Sequence, residues 1–559
     1  MHHFTGKWIL GGIIALLLVA TACSNSSNTD SAGSPSGAAG AASASPQETA
    51  QAVTAAVDKL TIGIPSDAGP LNIYTTSVDF MTELVFDKLF GPSPYVDDPI
   101  PMLAESAEQI DDLTWRLKVR SGIAWHDGVP FTADDVKFTY EYYRDGPQNR
   151  HTHHVNEVPS IKEINKLGDN ELEFVCEYAC PSLQTVTFAD LPILAKHVWE
   201  NVENPRQFTD LAVGTGPYKL VEYVPEQYYK FETNEQYYLG KPTVQTLYMP
   251  IITDQTAMFN SLKAGDIDVS AKSVPPELLT SFDNAGDFKV QRTDELTIIQ
   301  LVQNYQKEPF DNEDFRKAMS MAIDRQDITD TVLLGHGRPG LKGYPHPDSP
   351  WTNPDNAQPY DPSQANALLD TLDYKDSDGD GIREYKDGSP MNMSLIVTSA
   401  EPSWIRAAEL MVDDYAAIGV KLKVEVLDAS TVSARSSEKQ YDFMLSSITA
   451  HGVGDPDQFI MSHRSGYLWS RDIPYPEMDA LTKEWMDTTT IEGRKQVSFK
   501  MQAVYNDQPT AIAVYYPEQN WAYNAKKYDD WVESPGFGII HKFSFLGETG
   551  KKAAVGAPL

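Results

Sequence analysis

Residues 393–447 restrict the fold of this chain more than any other stretch. "MSLIVTS" reads as a strand, and "PSWIRAAELMVDDYAAIG" reads as a helix ended by Gly419. "VKLKVEVL" predicts a second strand and "YDFMLSSI" a third. A strand–helix–strand order within one segment favours parallel pairing through a right-handed crossover. The chain is therefore expected to be mixed α/β.

Other segments carry the same signature. "KLTIGIP" (59–65) alternates as a strand does, and "TELVFDKLF" (82–90) has helical spacing. "TWRLKVR" (114–120) alternates again, with Trp115, Leu117 and Val119 on one face. Thr132 is placed to cap a helix, with Asp135 three residues on, followed by Val136, Tyr140 and Tyr143. "TDQTAMFNSLKAGDIDV" (253–269) predicts a capped helix, a stop at Gly265 and a strand. "NEDFRKAMSMAIDRQDI" predicts one amphipathic helix with Phe315, Ala318, Met319, Ala322 and Ile323 as its stripe. Asp361 and Pro362 open another helix.

The beginning of the chain is of a different kind. Lys7 precedes the apolar run "WILGGIIALLLVATA" (8–22), which predicts a secretory signal over residues 1–22. The run is shorter than the ~20 residues of a membrane span. Ala20-Thr21-Ala22-Cys23 resembles a bacterial lipobox, although Ala stands where Leu is usual. The resemblance implies cleavage before Cys23 and a lipid on its thiol; the alternative is an ordinary cleaved signal with an incidental cysteine. Residues 23–57 are rich in Ser, Ala, Gly and Asn, a composition that cannot offset ordering entropy and predicts a flexible tether.

The chain beyond this tether is too long for one core, so two or three domains are expected. The 79 acidic and 45 basic residues give a net charge of −34, which argues against a nucleic-acid partner. Cys176 and Cys180 lie four apart, so a disulfide requires the chain to turn between them. Neither a G-x-S-x-G elbow nor an H-E-x-x-H zinc pair is present, which leaves a secreted hydrolase without a local motif.

Several blocks together resemble one family, the extracellular solute-binding proteins (family 5) of ABC importers for peptides, nickel and related solutes. They are "LTWRLKVRSGIAWHDGVPFTADDVKFTYE", "GTGPYKLVEY", "FNSLKAGDIDV", "NEDFRKAMSMAIDR" and "YDPSQANALLD" with "DGDGIREYKDG", in family order. The resemblance implies a periplasmic-binding-protein-like, two-lobed, hinged α/β fold (type II, cluster C-like, with an extra subdomain). It implies a discontinuous lobe I at 58–95, 211–300 and 520–555, a subdomain at 96–210, and lobe II at 301–519. It also implies no enzyme activity and no cofactor. The expected partners are a solute, permease and ATPase subunits, and the outer face of a membrane through the lipid; the chain itself is expected to be a monomer, on a Gram-positive surface or in a periplasm.

Peptides are the first expectation for the solute. In peptide-binding members a carboxylate three residues before an acidic-Pro pair takes the peptide's amino terminus. Here the pair is Asp455-Pro456 and Gly452 holds the carboxylate's place, while Ser446 stands where a basic residue is expected. Either Asp455 takes the ammonium group, or the solute is another kind: a nickel or other metal chelate with His451 as ligand, an opine or an oligosaccharide. A ligand sensor would have the same sequence. Trp404, Trp469 and Tyr223 are candidate wall residues, with packing as their alternative role.

One acidic loop stands apart. In "DSDGDGIREYKDG", Asp376, Asp378 and Asp380 alternate as in the first half of a calcium loop, with Asp387 at its twelfth position. A solvated turn is the competing reading.

Overall fold

The computed structural model describes residues 57–74, 79–92, 99–145, 161–283, 286–293, 296–448, 465, 475–534 and 538–557. Cys23, the signal segment and the tether lie outside these residues.

The parallel unit expected from residues 393–447 forms. Asn392–Thr398 pairs with Lys421–Leu427 in parallel, residue for residue from Asn392↔Lys421 to Thr398↔Leu427. The helix Pro402–Ala416 is the crossover, and it buries Ala407, Ala408, Met411 and Tyr415. Phe443–Ile448 joins the other side of Asn392–Thr398, also in parallel. Ile298–Gln303, Ala511–Pro517 and Gly337–Pro339 complete a six-stranded sheet. Its core holds Leu301, Phe315, Met319, Leu395, Met411 and Phe443.

A seven-stranded sheet makes the other lobe. Val57–Gly63 lies near its middle, parallel to both Val244–Pro250 and Val269–Ser270. A third, antiparallel sheet has four strands: Ala104–Gln109, Thr114–Val119, Glu171–Cys176 and Ile161–Gly168. The helix Ala133–Arg144 packs on it through Val136, Tyr140 and Tyr143. Thr132 caps that helix, and its N–H donates to Asp135 at 2.8 Å, completing the capping box. The four-stranded and seven-stranded sheets share one continuous core. Gly214 and Gly216 explain the "GTGPY" block: a Cβ on Gly214 would lie 1.9 Å from the Val85 carbonyl oxygen, and Gly216 N–H donates to that carbonyl at 2.8 Å.

The chain passes between the two large sheets twice. It leaves the seven-stranded sheet at Phe288–Thr293 and enters the six-stranded sheet at Ile298–Gln303. It returns from Ala511–Pro517 to Gln519–Asn524, with Glu518 alone between those strands. The fold is thus mixed α/β and two-lobed.

Some expectations change. "NEDFRKAMSMAIDRQDI" is two helices, Glu313–Met321 and Arg325–Leu333, because Asp324 caps the second through Asp327 N–H at 3.0 Å. The whole predicted stripe is nonetheless buried. The first predicted helix is short, Asp79–Val85. Cys176 and Cys180 are joined by a disulfide, their Cα atoms 6.4 Å apart across the turn.

Candidate functional site

A cleft of about 1050 Å³ lies between the two large sheets and takes its walls from both. The local order explains its second wall. The parallel strand Asn392–Thr398 ends at the cleft, and residues 399–404 then line it as the helix Pro402–Ala416 begins. Ligand crevices of open α/β sheets form outside the carboxyl ends of parallel strands. Pro402 suits the first helical position, since it has no N–H to leave unbonded. The facing wall comes from residues 253–278, including Phe259, Lys272 and Ser273. The two crossing points close the back of the cleft through Thr297, Pro517 and Glu518.

Charge is arranged across the gap. Lys272 Nζ lies 3.4 Å from Glu401 Oε1, each group on its own wall. Arg406 and Glu277 repeat the motif with the signs exchanged, at 3.9 Å. At the crossing, Glu518 lies 2.9 Å from His336 Nδ1 and 3.7 Å from Arg292. Between these groups the walls are apolar and aromatic, with Phe259, Trp404 and Trp521. Tyr515 is buried at the floor, and burial raises its phenol well above the ordinary range, with the Ser403 hydroxyl beside it opposing that shift. Fixed polar groups set among aromatic walls can orient a guest and desolvate its apolar parts.

Of the residues expected from the sequence, Trp404 lines the cleft. Tyr223 does not: its hydroxyl donates to Asp67 at 2.9 Å, and its ring stacks on Tyr229 with centroids 4.7 Å apart. His451, Gly452, Asp455 and Trp469 lie outside the described residues. The strand before them, Phe443–Ile448, places Ser447 in the cleft lining, and Ser446 accepts from Gln300 Nε2 at 3.2 Å. Sequence reasoning missed Lys272, Glu401, His336 and Glu518. The one available signal was the "SAEP" break directly after a predicted strand.

The acidic loop is elsewhere and does not line the cleft. Carboxylate oxygens of Asp376, Asp378, Asp380 and Glu384 gather within 4.8 Å of one another. Glu384, not Asp387, is the fourth member. Asp387 accepts instead from Ser389 N and Oγ, at 2.9 and 2.6 Å. Asp376 accepts from Gly379 N and Gly381 N at 2.7 and 2.9 Å, and Glu384 accepts from Ser377 N at 2.8 Å.

Known proteins share this architecture. Residues 98–470 match the family model of bacterial extracellular solute-binding proteins, family 5 Middle. The oligopeptide-binding protein AppA of Bacillus subtilis is 26% identical over 93% of this chain and 94% of its own. The solved structure of that AppA, in complex with a nonapeptide, superposes with a TM-score of 0.75 at 22% identity, covering 89% of this chain and 99% of that one. NikZ from Campylobacter jejuni, solved in complex with Ni(L-His), gives 0.76 at 24% identity, covering 87% and 97%. These relatives are binding proteins, not enzymes. The family match spans more than half of the 559 residues, so the chain belongs to the bacterial extracellular solute-binding proteins of family 5.

Proposed function

We propose, from that membership, that this chain is a lipid-anchored receptor that captures a peptide outside the cell and presents it to an ABC permease by closing its lobes. One observation carries the reading: a cleft of about 1050 Å³ whose two walls belong to two sheets joined by two crossings. That space is at the top of the ~300–1,000 Å³ range of sites for drug-sized ligands, and a short peptide needs such room. A guest touching both walls favours closure by as much as its contacts differ between open and closed forms.

In this reading lobe I comprises 58–95, 211–300 and 520–555, with the subdomain at 96–210, and lobe II is 301–519. Residues 1–22 are removed, Cys23 carries lipid, and 23–57 tether a monomer to the outer face of the membrane. Trp404 contacts the guest's side chains. Asp455 takes the peptide's ammonium group in place of the carboxylate that Gly452 lacks, and Trp469 and His451 are further candidate contacts. Mass spectrometry of the small molecules that co-purify with the chain tests this. A ladder of short peptides is expected. A nickel chelate or an oligosaccharide would replace peptides as the solute, and a chain that retains nothing from peptide-rich medium would end the peptide reading.

A further inference from the structure

Arg494 sits in the helix Ile491–Asp507, between two strands of the six-stranded sheet. Its guanidinium is buried, 2% exposed, and two of its acceptors come from another part of the chain. Nη1 donates to Ser182 Oγ at 2.9 Å, and Nη2 donates to the Ala179 carbonyl. Those acceptors follow Glu171–Cys176, a strand of the four-stranded sheet, and stand 312 and 315 residues away in sequence. Behind the guanidinium, the Trp485 ring lies 4.6 Å away. Arg494 therefore joins the four-stranded subdomain to the opposite lobe, and neither Arg494 nor Ser182 lines the cleft.

The receiving turn is held firmly. The Cys176–Cys180 disulfide spans Ala179. Trp115 Nε1 donates to the Cys180 carbonyl at 3.0 Å, and Cys180 N–H donates to the Asp112 carbonyl at 3.2 Å. A carbonyl fixed in this way loses little freedom when it accepts a bond, so little of the bond's strength is spent on ordering. Charge-assisted bonds to guanidinium are among the strongest polar contacts available.

We propose that the four-stranded subdomain acts as a latch: its disulfide-pinned turn grips Arg494 only when the lobes meet, and so favours the closed form without touching the solute. This rests on the reading that the lobes open and close.

Amide hydrogen exchange on the full chain as purified, with whatever solute it retains, reads residues 177–186 and 491–497 directly. Arg494→Ala is expected to speed exchange in both segments about tenfold, the scale of one charge-assisted bond, and to raise the radius of gyration in solution scattering. Arg494→Lys keeps the charge but lacks the fork that spans two acceptors, so it should move both readouts the same way, less far. The paired Cys176→Ser and Cys180→Ser change loosens the turn from the other side and should do likewise; together with Ser182→Ala it carries the test if Arg494→Ala does not fold. Unchanged exchange at 177–186 with an unchanged radius overturns the latch. Wild type and variants are compared with the same bound contents and neither readout depends on what the solute is, so the latch and the peptide reading can fail separately.

Discussion

Lys272 and Glu401 face each other across the cleft, ammonium to carboxylate at 3.4 Å, one from each wall. Both side chains keep contact with water, at 25% and 36% exposure, so the pair is weak as a source of fold stability. Its value is positional, because it can form only when the walls approach.

Replacing Glu401 by Gln should therefore separate stability from binding. Thermal unfolding should shift by less than about 1 kcal/mol, as for other exposed pairs. Affinity for the co-purified solute, read by calorimetry, should fall about fivefold, the effect of roughly 1 kcal/mol on the open–closed balance. Added salt should shrink the difference by screening the pair. Equal affinities at low salt would remove the pair from closure.

His541 makes stability depend on pH. Burial pushes this imidazole down to about 4, from an ordinary value of 6.5. The hydrogen bonds agree: Nε2 lies 2.9 Å from the Val532 carbonyl and donates to it, while Nδ1 accepts from Phe543 N–H at 3.2 Å. Protonating Nδ1 would set two donors face to face. Between pH 6.5 and about 4 the unfolded chain binds the extra proton and the folded chain refuses it, so stability is lost as pH falls through that window. The slope is about 1.4 kcal/mol per pH unit for this one group. Urea unfolding of the wild type and His541→Gln, compared from about pH 7 to 4.5, should show a shallower slope in the variant. Parallel curves would mean that His541 is protonated in the folded protein.

How much of this could be read from the sequence depends on where each constraint lies. The pairing of Asn392–Thr398 with Lys421–Leu427 was legible, because burial writes apolar runs and the connecting helix has its own period. The break between Glu313–Met321 and Arg325–Leu333 was not. Its cap, Asp324, accepts from Asp327 N–H at 3.0 Å inside an apolar stripe that keeps its helical spacing across the break, so the stripe reads as one helix. In the site, Trp404 was readable as an aromatic on a helix start, whereas Lys272 and Glu401 look like any solvated charges. Tyr223 was misplaced because its partner, Asp67, is 156 residues distant.

The acidic loop gives a third prediction. Its carboxylates are engaged by backbone N–H groups of the same turn, as a solvated turn requires. Calorimetry with millimolar calcium should show no saturable heat, and Asp376→Ala, which removes the acceptor of two amides, should speed exchange locally at Gly379 and Gly381. A saturable calcium isotherm abolished by Asp376→Ala would make the loop a cation site with Glu384 as a ligand.

The last prediction concerns a charge network buried in the core of the seven-stranded lobe. Lys542 Nζ lies 2.7 Å from Asp87 and 3.4 Å from Glu83, and donates to the Phe86 carbonyl at 3.1 Å. Lys88 adds a second cation, 2.7 Å from Glu83. Burial alone would raise the Glu83 carboxyl, but Lys88 and Lys542 hold it below its ordinary value, so it stays ionised. Tyr237 and Thr215 hydroxyls each donate to Asp87 at 3.1 Å, so that carboxylate is held from several sides. Lys542 belongs to the segment after Gln519–Asn524, and its bonds tie that returning chain to residues 83–87. Lys542→Met fills similar volume but leaves three buried carboxylates, Glu83, Asp87 and Asp190, with Lys88 as the network's remaining cation. Breaking a buried pair from one side costs about 3–5 kcal/mol, far more than the pair's net worth, because the orphaned charge has no water to return to. Urea unfolding at neutral pH should therefore show a loss on that scale. A loss under about 1 kcal/mol, the scale of an exposed pair, would mean that water reaches Asp87 and that the returning segment is held by packing instead.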